Sequence, residues 1–170
     1  FLNDINGEKY FKSYFAKHEN IWTHGDFIKI NHCGGAVIYG RSDATLNPGG
    51  IRIGTSEIYS AIEGLDFLED SIAVNSIGTD SYILFVKLVS CLTLDDDIVY
   101  KIKNSIKSNL SPKHVPASIF NVSDIPYTIN GKKVEMAVKN IVNGEEVENI
   151  DSISNSECLA EYSTLINKNR

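Results

Sequence analysis

Positive charge is scarce in this 170-residue chain, where 16 Lys and Arg stand against 22 Asp and Glu for a formal net charge of −6. Binding to a phosphate backbone needs a strong positive face, so the balance argues against a general nucleic-acid partner. Cysteine is also sparse. Cys33, Cys91 and Cys158 are odd in number and far apart, with no CxxC pair and no histidine at metal-ligand spacing. That pattern excludes a disulfide framework, gives no metal ligands, and leads to the expectation of free thiols in a reducing, cytoplasmic setting. No apolar run approaches the ~20 residues of a membrane helix, and no membrane span is expected. The opening Phe1-Leu2-Asn3-Asp4 has no initiator Met, basic region or signal-peptide core, so a piece of a longer protein is expected. What is present is ordinary for a globular domain: 42% hydrophobic and 22% charged residues, enough for about one domain.

Periodicity sets out the elements. Tyr10, Phe11, Tyr14 and Phe15 recur at i, i+1, i+4 and i+5, which predicts an amphipathic helix over 9–18. Phe27, Ile28 and Ile30, then Gly34-Gly35, then residues 36–39 read as a β-hairpin. Further on, the pattern predicts a helix over 56–64, strands over 71–77 and 82–89 joined by a turn over 76–81, and a helix over 98–110. Ile98, Ile102, Ile106 and Leu110 form the stripe of that helix, and Asp95-Asp96-Asp97 suits its positive N-terminal end, a metal site being the alternative for the triplet. Pro112 and Pro116 precede a strand over 118–122. Helices over 132–142 and 155–165 flank a polar linker over 145–154. This order predicts an α+β domain with a small mixed sheet of about three strands flanked by helices and preceded by a β-hairpin.

The chain is organised around residues 40–57, GRSDATLNPGGIRIGTSE. Arg41 and Arg52 flank Asn47-Pro48-Gly49-Gly50, where Gly permits positive φ and Pro fixes its own, so the backbone must turn or approach something closely. Thr55 or Ser56, ahead of Glu57 and the run Ile58, Ala61, Ile62, Leu65, reads as a helix N-cap. Taken alone this is a structural turn between a strand and a helix. Two other clusters stand out. Trp22-Thr23-His24-Gly25-Asp26 ends in an acceptor-only carboxylate, and by itself a turn aspartate is the favoured reading of Asp26. Pro126-Tyr127-Thr128-Ile129-Asn130-Gly131-Lys132 places a flexible amine after a glycine; by itself a Gly-Lys pair is a surface turn.

Together, Gly-Arg-x-Asp, Leu-Asn, Gly-x-Arg-Ile-Gly, Thr-His-Gly-Asp and Pro-x-Thr-x-x-Gly-Lys resemble the hinge, nucleotide and lysine-loop segments of the acyl-adenylate-forming enzymes, the superfamily of acyl-CoA synthetases, peptide-synthetase adenylation domains and luciferases. The resemblance covers almost the whole sequence. It implies that 1–41 closes a large N-terminal domain, 42–143 is a C-terminal lid domain, and 144–170 is a tail with a helix.

The same resemblance implies the site residues. Asp26 would accept hydrogen bonds from the ribose of ATP, and Arg41 would lie near the ribose and phosphates. Asp43 would be the hinge about which the lid swings. Gly50 would leave room for the pantetheine arm of CoA with Arg52 beside it, and Lys107 would meet CoA phosphates, a solvated helix lysine being the alternative. Lys132 would be catalytic. Expected substrates are ATP with Mg²⁺, CoA, and acetoacetate or another short acyl acid such as acetate or propionate. The expected macromolecular partner is the chain's own N-terminal domain. With the phosphate loop and acyl pocket absent, the segment alone is expected to be inactive and to bind none of these tightly. A non-catalytic α+β interaction domain is the reading from another class. Two departures from relatives are Glu135 where many have arginine, and Glu57-Ile58-Tyr59 where acetate-activating relatives carry an acid at the third position.

Overall fold

The computed structural model of the chain describes residues 4–76, 80–147 and 149–168. The chain divides into two compact units, Phe1–Asp43 and Ala44–Arg170.

In the first unit, α1 (Glu8–Tyr14) precedes a hairpin of β1 (Asp26–Ile30) and β2 (Ala36–Arg41). The aromatic residues that predict α1 cluster: Tyr14 stacks on Trp22 with ring centroids 4.0 Å apart, and Tyr10 and Phe15 meet the indole at 6.1 and 5.8 Å. The helix stops four residues short of the predicted end because the chain doubles back, and the Thr23 N–H takes the Tyr14 carbonyl at 2.7 Å. The hairpin turn is set by Asn31, whose Oδ1 accepts from the N–H groups of Cys33 and Gly35 at 3.0 and 2.8 Å, while Gly34 supplies the positive φ of 81°.

The second unit is built on a three-stranded mixed sheet, in agreement with the predicted fold class. Its order is β3 (Leu68–Asn75), β4 (Tyr82–Leu88), β5 (Ser118–Asn121), with β3 and β4 antiparallel and β4 and β5 parallel. A parallel pair needs a crossover, and α3 (Asp96–Asn109) supplies it. Asp95 caps α3 by accepting from the Ile98 N–H at 2.8 Å, so the acidic triplet is a helix start. On β4 the side chains alternate between two cores. Tyr82, Leu84, Val86 and Leu88 join α2 (Thr55–Ile62) and the α3 stripe, while Phe85 joins Ile72, Val74, α4 (Glu135–Asn143) and α5 (Leu159–Lys168) on the other face.

Several predicted boundaries move. The strand predicted over 71–77 begins at Leu68, and its last predicted residue lies outside the described residues, as do residues 77–79 of the turn predicted over 76–81. The N-cap of α2 is Gly54 instead of Thr55 or Ser56: the Glu57 carboxylate accepts from the Gly54 N–H at 3.1 Å, and Thr55 is the first, buried residue of the helix. The helix predicted from residue 132 starts at Glu135, because Lys133 forms an antiparallel bridge with Tyr127 and holds the preceding residues in a loop. The segment read as a polar linker over 145–154 contains a 3₁₀ turn at Ile150–Ser152 and a buried Ile153 that bridges Thr128. The helix predicted over 155–165 is a 3₁₀ turn, Ser156–Cys158, running into α5.

Candidate functional site

The predicted residues fall into separate groups, and each unit holds its own.

In the first unit, three of them meet at the ends of the hairpin. Asp26 opens β1, Arg41 closes β2 directly opposite it in register, and Asp43 follows two residues later. The Arg41 guanidinium donates from Nε and Nη2 to the two Asp43 oxygens at 3.3 and 3.1 Å, a bidentate fork, and its Nη1 lies 3.8 Å from Asp26 Oδ1. The hydrogen bond it donates to Asp43 raises the pKa of Arg41 above its ordinary value, against the opposing effect of partial burial. His24 Nδ1 is 2.5 Å from Asp26 Oδ2, so the carboxylate is held on both oxygens. Gly25 between them has a φ of +89°, and a Cβ there would come within 3.3 Å of the Arg41 guanidinium. The motif glycine thus provides both the backbone conformation and the space that this ion cluster occupies. His24, the unusual member of the motif, is the residue whose pairing the motif alone does not reveal.

In the second unit, Lys132 is exposed at the end of a tight loop. Thr128 closes that loop three ways: its N–H donates to the Lys132 carbonyl at 2.8 Å, its carbonyl accepts from Gly131 N–H at 2.8 Å, and its Oγ1 accepts from Lys132 N–H at 3.1 Å. Gly131 has φ +72°, a conformation that explains the glycine before the lysine. Among the described residues, no hydrogen bond or ion pair occupies the Lys132 ammonium. Gly50 ends a 3₁₀ turn, Pro48–Gly50, with φ +81° and open space where a Cβ would point; Arg52 is exposed two residues on. The turn is held by the Leu46–Ile53 bridge and lies near the Pro112–His114 turn that follows α3. Lys107 is exposed in the last turn of α3.

Residues next to these groups carry more structure than the motifs indicate. Asp70, on β3, pairs with Lys133 Nζ at 2.5 Å through one oxygen and accepts from the Tyr127 hydroxyl through the other. Lys133 Nζ also donates to the Ser71 carbonyl at 2.8 Å and sits 4.2 Å from the Tyr59 ring centroid. Burial, followed by the Asp70 hydrogen bond, pushes the Tyr127 phenol well above its ordinary range, which keeps it a donor. Glu135, the departure from the usual arginine, faces inward at the start of α4 and accepts from Tyr59 OH at 3.3 Å and Thr55 Oγ1 at 3.4 Å. A cavity of about 350 Å³ adjoins this network, lined by Ser56, Tyr59, Glu63, Asp70, Ser71 and Lys133; none of the predicted site residues lines it. Lys133 is visible in sequence only as the second of two adjacent lysines, and Asp70 gives no sequence signal. Among the described residues no group of three His, Cys, Asp or Glu side chains is placed to hold a metal ion, and no helix is long and apolar enough to cross a membrane.

No family model matches the chain. Curated proteins do. Acetoacetyl-CoA synthetase of Rattus norvegicus is 48% identical over 166 residues, covering 95% of this chain and 25% of the rat protein. The enzyme of Caenorhabditis elegans is 48% identical over 95% of the chain and 24% of its own length, and that of Rhizobium meliloti (strain 1021) 46% identical over 94% and 25%. Among solved structures, acetoacetyl-CoA synthetase from Streptomyces lividans superposes with a TM-score of 0.90 at 39% identity, over 99% of this chain and 26% of that one. ATP-bound MatB from Rhodopseudomonas palustris, at 22% identity and a TM-score of 0.64, shares the fold over 80% of the chain. The chain spans about a quarter of the length of these curated relatives. With that identity along nearly its full length and the matching fold, the chain is similar to the C-terminal quarter of the acetoacetyl-CoA synthetases.

Proposed function

We propose that this chain is the lid-bearing C-terminal part of an ATP-dependent acetoacetate:CoA ligase, which joins acetoacetate to ATP as an acyl-adenylate with loss of pyrophosphate and then passes the acyl group to CoA with release of AMP. The observation that carries the reading is the Lys132 loop. An exposed amine is held at the tip of a loop closed by Thr128 and Gly131, in a chain 48% identical to acetoacetyl-CoA synthetase.

The chemistry assigns the lysine its step. When a carboxylate attacks the α-phosphate of ATP, two anions are forced together, and a cation between them offsets the repulsion as charge shifts in the transition state. A donor aimed at developing charge in a water-excluded site contributes on the order of 3–4 kcal/mol. Transfer to CoA involves no such approach of anions and does not need the amine. Asp26 takes the ribose hydroxyls, with His24 and Arg41 fixing the carboxylate. Asp43 is the pivot, a reading supported by the division of the two compact units immediately after it. Gly50, Arg52 and Lys107 receive CoA: the first by leaving a gap, the others as cations for its phosphates. Mg²⁺ arrives with the triphosphate, whose charge it neutralises. Acetoacetate as the acyl acid is supported by the relatives' names, since the acyl pocket belongs to the part of the enzyme outside this chain. Free thiols at Cys33, Cys91 and Cys158 suit the cytoplasm as compartment.

The test uses the full-length enzyme and follows each half-reaction separately. Lys132→Ala slows adenylate formation by roughly 10²–10³-fold, the range for loss of one such donor, and leaves transfer from supplied acyl-adenylate to CoA intact. Equal losses in both half-reactions would remove Lys132 from this role.

A further inference from the structure

The residue after the proposed catalytic lysine is built into the molecule quite differently from the lysine itself. Lys132 is exposed, whereas the Lys133 side chain is only 22% exposed, and its ammonium makes the three contacts with Asp70, the Ser71 carbonyl and the Tyr59 ring described above. Lys133 and Tyr127 face each other as the two residues of an antiparallel bridge, and they are the base of the loop whose tip carries Gly131 and Lys132. Both base residues send their side chains to the same acceptor. Lys133 takes Asp70 Oδ1 and Tyr127 takes Asp70 Oδ2, and Asp70 is itself only 21% exposed on β3 of the central sheet. One carboxylate therefore ties both stems of the loop to the sheet. Alternation along a bridged backbone sends neighbouring side chains to opposite faces, so fastening Lys133 inward turns Lys132 outward.

We propose that Lys133, through Asp70 and Tyr127, is a positioning residue for Lys132: a clamp that fixes the loop base and so aims the adenylating amine. The inference rests on the reading of Lys132 given above. An ammonium on a four-carbon stem is useful in a transition state only when it is delivered to within a few tenths of an ångström of the developing charge, and a misplacement of about 1 Å costs on the order of 10²-fold in rate. Hydrogen bonds to Thr128 make the loop one unit, and its base is where that unit is fastened to the sheet. Asp70 is the point at which the rigid sheet meets both stems.

The experiment is a double-mutant cycle in the full-length enzyme, with the two half-reactions measured separately. Lys133→Met keeps the packed stem and removes the ammonium. It lowers kcat of adenylation by about 10–10²-fold, following the cost of misplacement, with little change in KM for ATP and with acyl transfer to CoA within about twofold; Lys133→Arg restores part of the loss. In the Lys132→Ala background the same Lys133→Met change has no further effect on residual adenylation, because a residue that acts only through another has nothing left to aim. Tyr127→Phe, which removes a single hydroxyl, reproduces a smaller loss and covers the case in which Lys133→Met does not fold. Undiminished adenylation in both Lys133→Met and Tyr127→Phe, equal losses in both half-reactions, or full additivity with Lys132→Ala would overturn the clamp. If Lys132→Ala itself leaves adenylation intact, the failure lies with the catalytic assignment and not with the clamp alone.

Discussion

Residues of the same type occupy opposite environments in this chain, and burial is what separates them. Lys132 and Lys133 are one such case. The three thiols are another: Cys33 and Cys91 are exposed, while Cys158, in the 3₁₀ turn before α5, joins the core, where burial, then the nearby Asp124, Glu157 and Glu161 carboxylates, push its pKa up to about 11. A thiol with that pKa is overwhelmingly protonated at neutral pH and is a poor nucleophile. In the folded protein, iodoacetamide near pH 8 alkylates Cys33 and Cys91 and spares Cys158, and in urea all three react; intact-mass spectrometry counts the additions. Rapid alkylation of Cys158 in the native protein would contradict its placement. At this scale the sequence was informative wherever the signal is local. The glycines at 25 and 131, quoted in the motifs before Asp26 and Lys132, have φ of +89° and +72°, a conformation that glycine permits. Asp70 was illegible because its partners, Tyr127 and Lys133, are 57 and more than 60 residues away, and no local pattern records such a contact.

Among the elements, the C-terminal segment is joined to the lysine loop. Asn155 accepts from the Tyr127 N–H at 2.9 Å and donates to the Ile125 carbonyl and to Asp124, at 2.9 and 2.5 Å; Ser154 N–H meets the Tyr127 carbonyl at 2.8 Å, and Ile129 N–H meets the Ser152 carbonyl at 3.1 Å. One amide side chain therefore satisfies three polar groups of the segment that leads into the loop. Asn155→Ala leaves a partly buried N–H and C=O without partners, a cost of about 1–3 kcal/mol for each group left unsatisfied. The change also acts on Asp124. Burial raises the pKa of that carboxyl, but the Asn155 hydrogen bond and Lys87 outweigh it and hold the value below the ordinary 3.8. A carboxylate whose folded-state pKa is depressed contributes stability that is present above its unfolded pKa and is lost as pH falls through the folded one. Asn155→Ala returns the Asp124 pKa toward its ordinary value. The variant has a lower urea midpoint at neutral pH, and the gap to the parent narrows as both are taken below pH ~3.8, where protonation removes the Asp124 contribution from each. A gap that does not change with pH would show that Asn155 acts without Asp124.

The late start of α4 has the same physical origin as this connection. Val134 continues the apolar-periodic pattern of Ala137, Val138 and Val142 in the N-terminal direction, so periodicity alone extends the helix backward. A bridge to Tyr127 and a φ, ψ of −109°, 65° at Val134 stop it. The stripe of α3 had no such competitor, and Ile98, Ile102 and Ile106 are all buried as its period requires.

For the molecule as a whole, the sheet and its two helical layers were legible because their alternation is regular, whereas the pairing of β4 with β5 and the cavity beside Lys133 depend on tertiary placement. Weak nucleotide binding by the isolated 170-residue chain is expected at this scale. Asp26 offers at most a pair of hydrogen bonds to a ribose, each contributing about 1 kcal/mol, while micromolar affinity requires about 8 kcal/mol. Calorimetric titration with ATP and Mg²⁺ gives a dissociation constant no tighter than millimolar. A micromolar value would reveal a complete nucleotide site within the chain.

Strand β4 has a neighbour on each edge and a core on each face, with Tyr82, Leu84, Phe85 and Val86 fully buried. Among the described residues the β1–β2 hairpin pairs only with itself, and Ile28, Ile30, Val37 and Ile38 are 56%, 68%, 48% and 66% exposed. In deuterated water these two sheets report on different events. Hairpin amides exchange through local openings that cost little free energy, whereas β4 amides wait for the second unit to unfold as a whole. A bulk measurement that averages over all amides would therefore describe neither sheet, and the β4 protons alone record the stability of the scaffold that holds Asp70 in place.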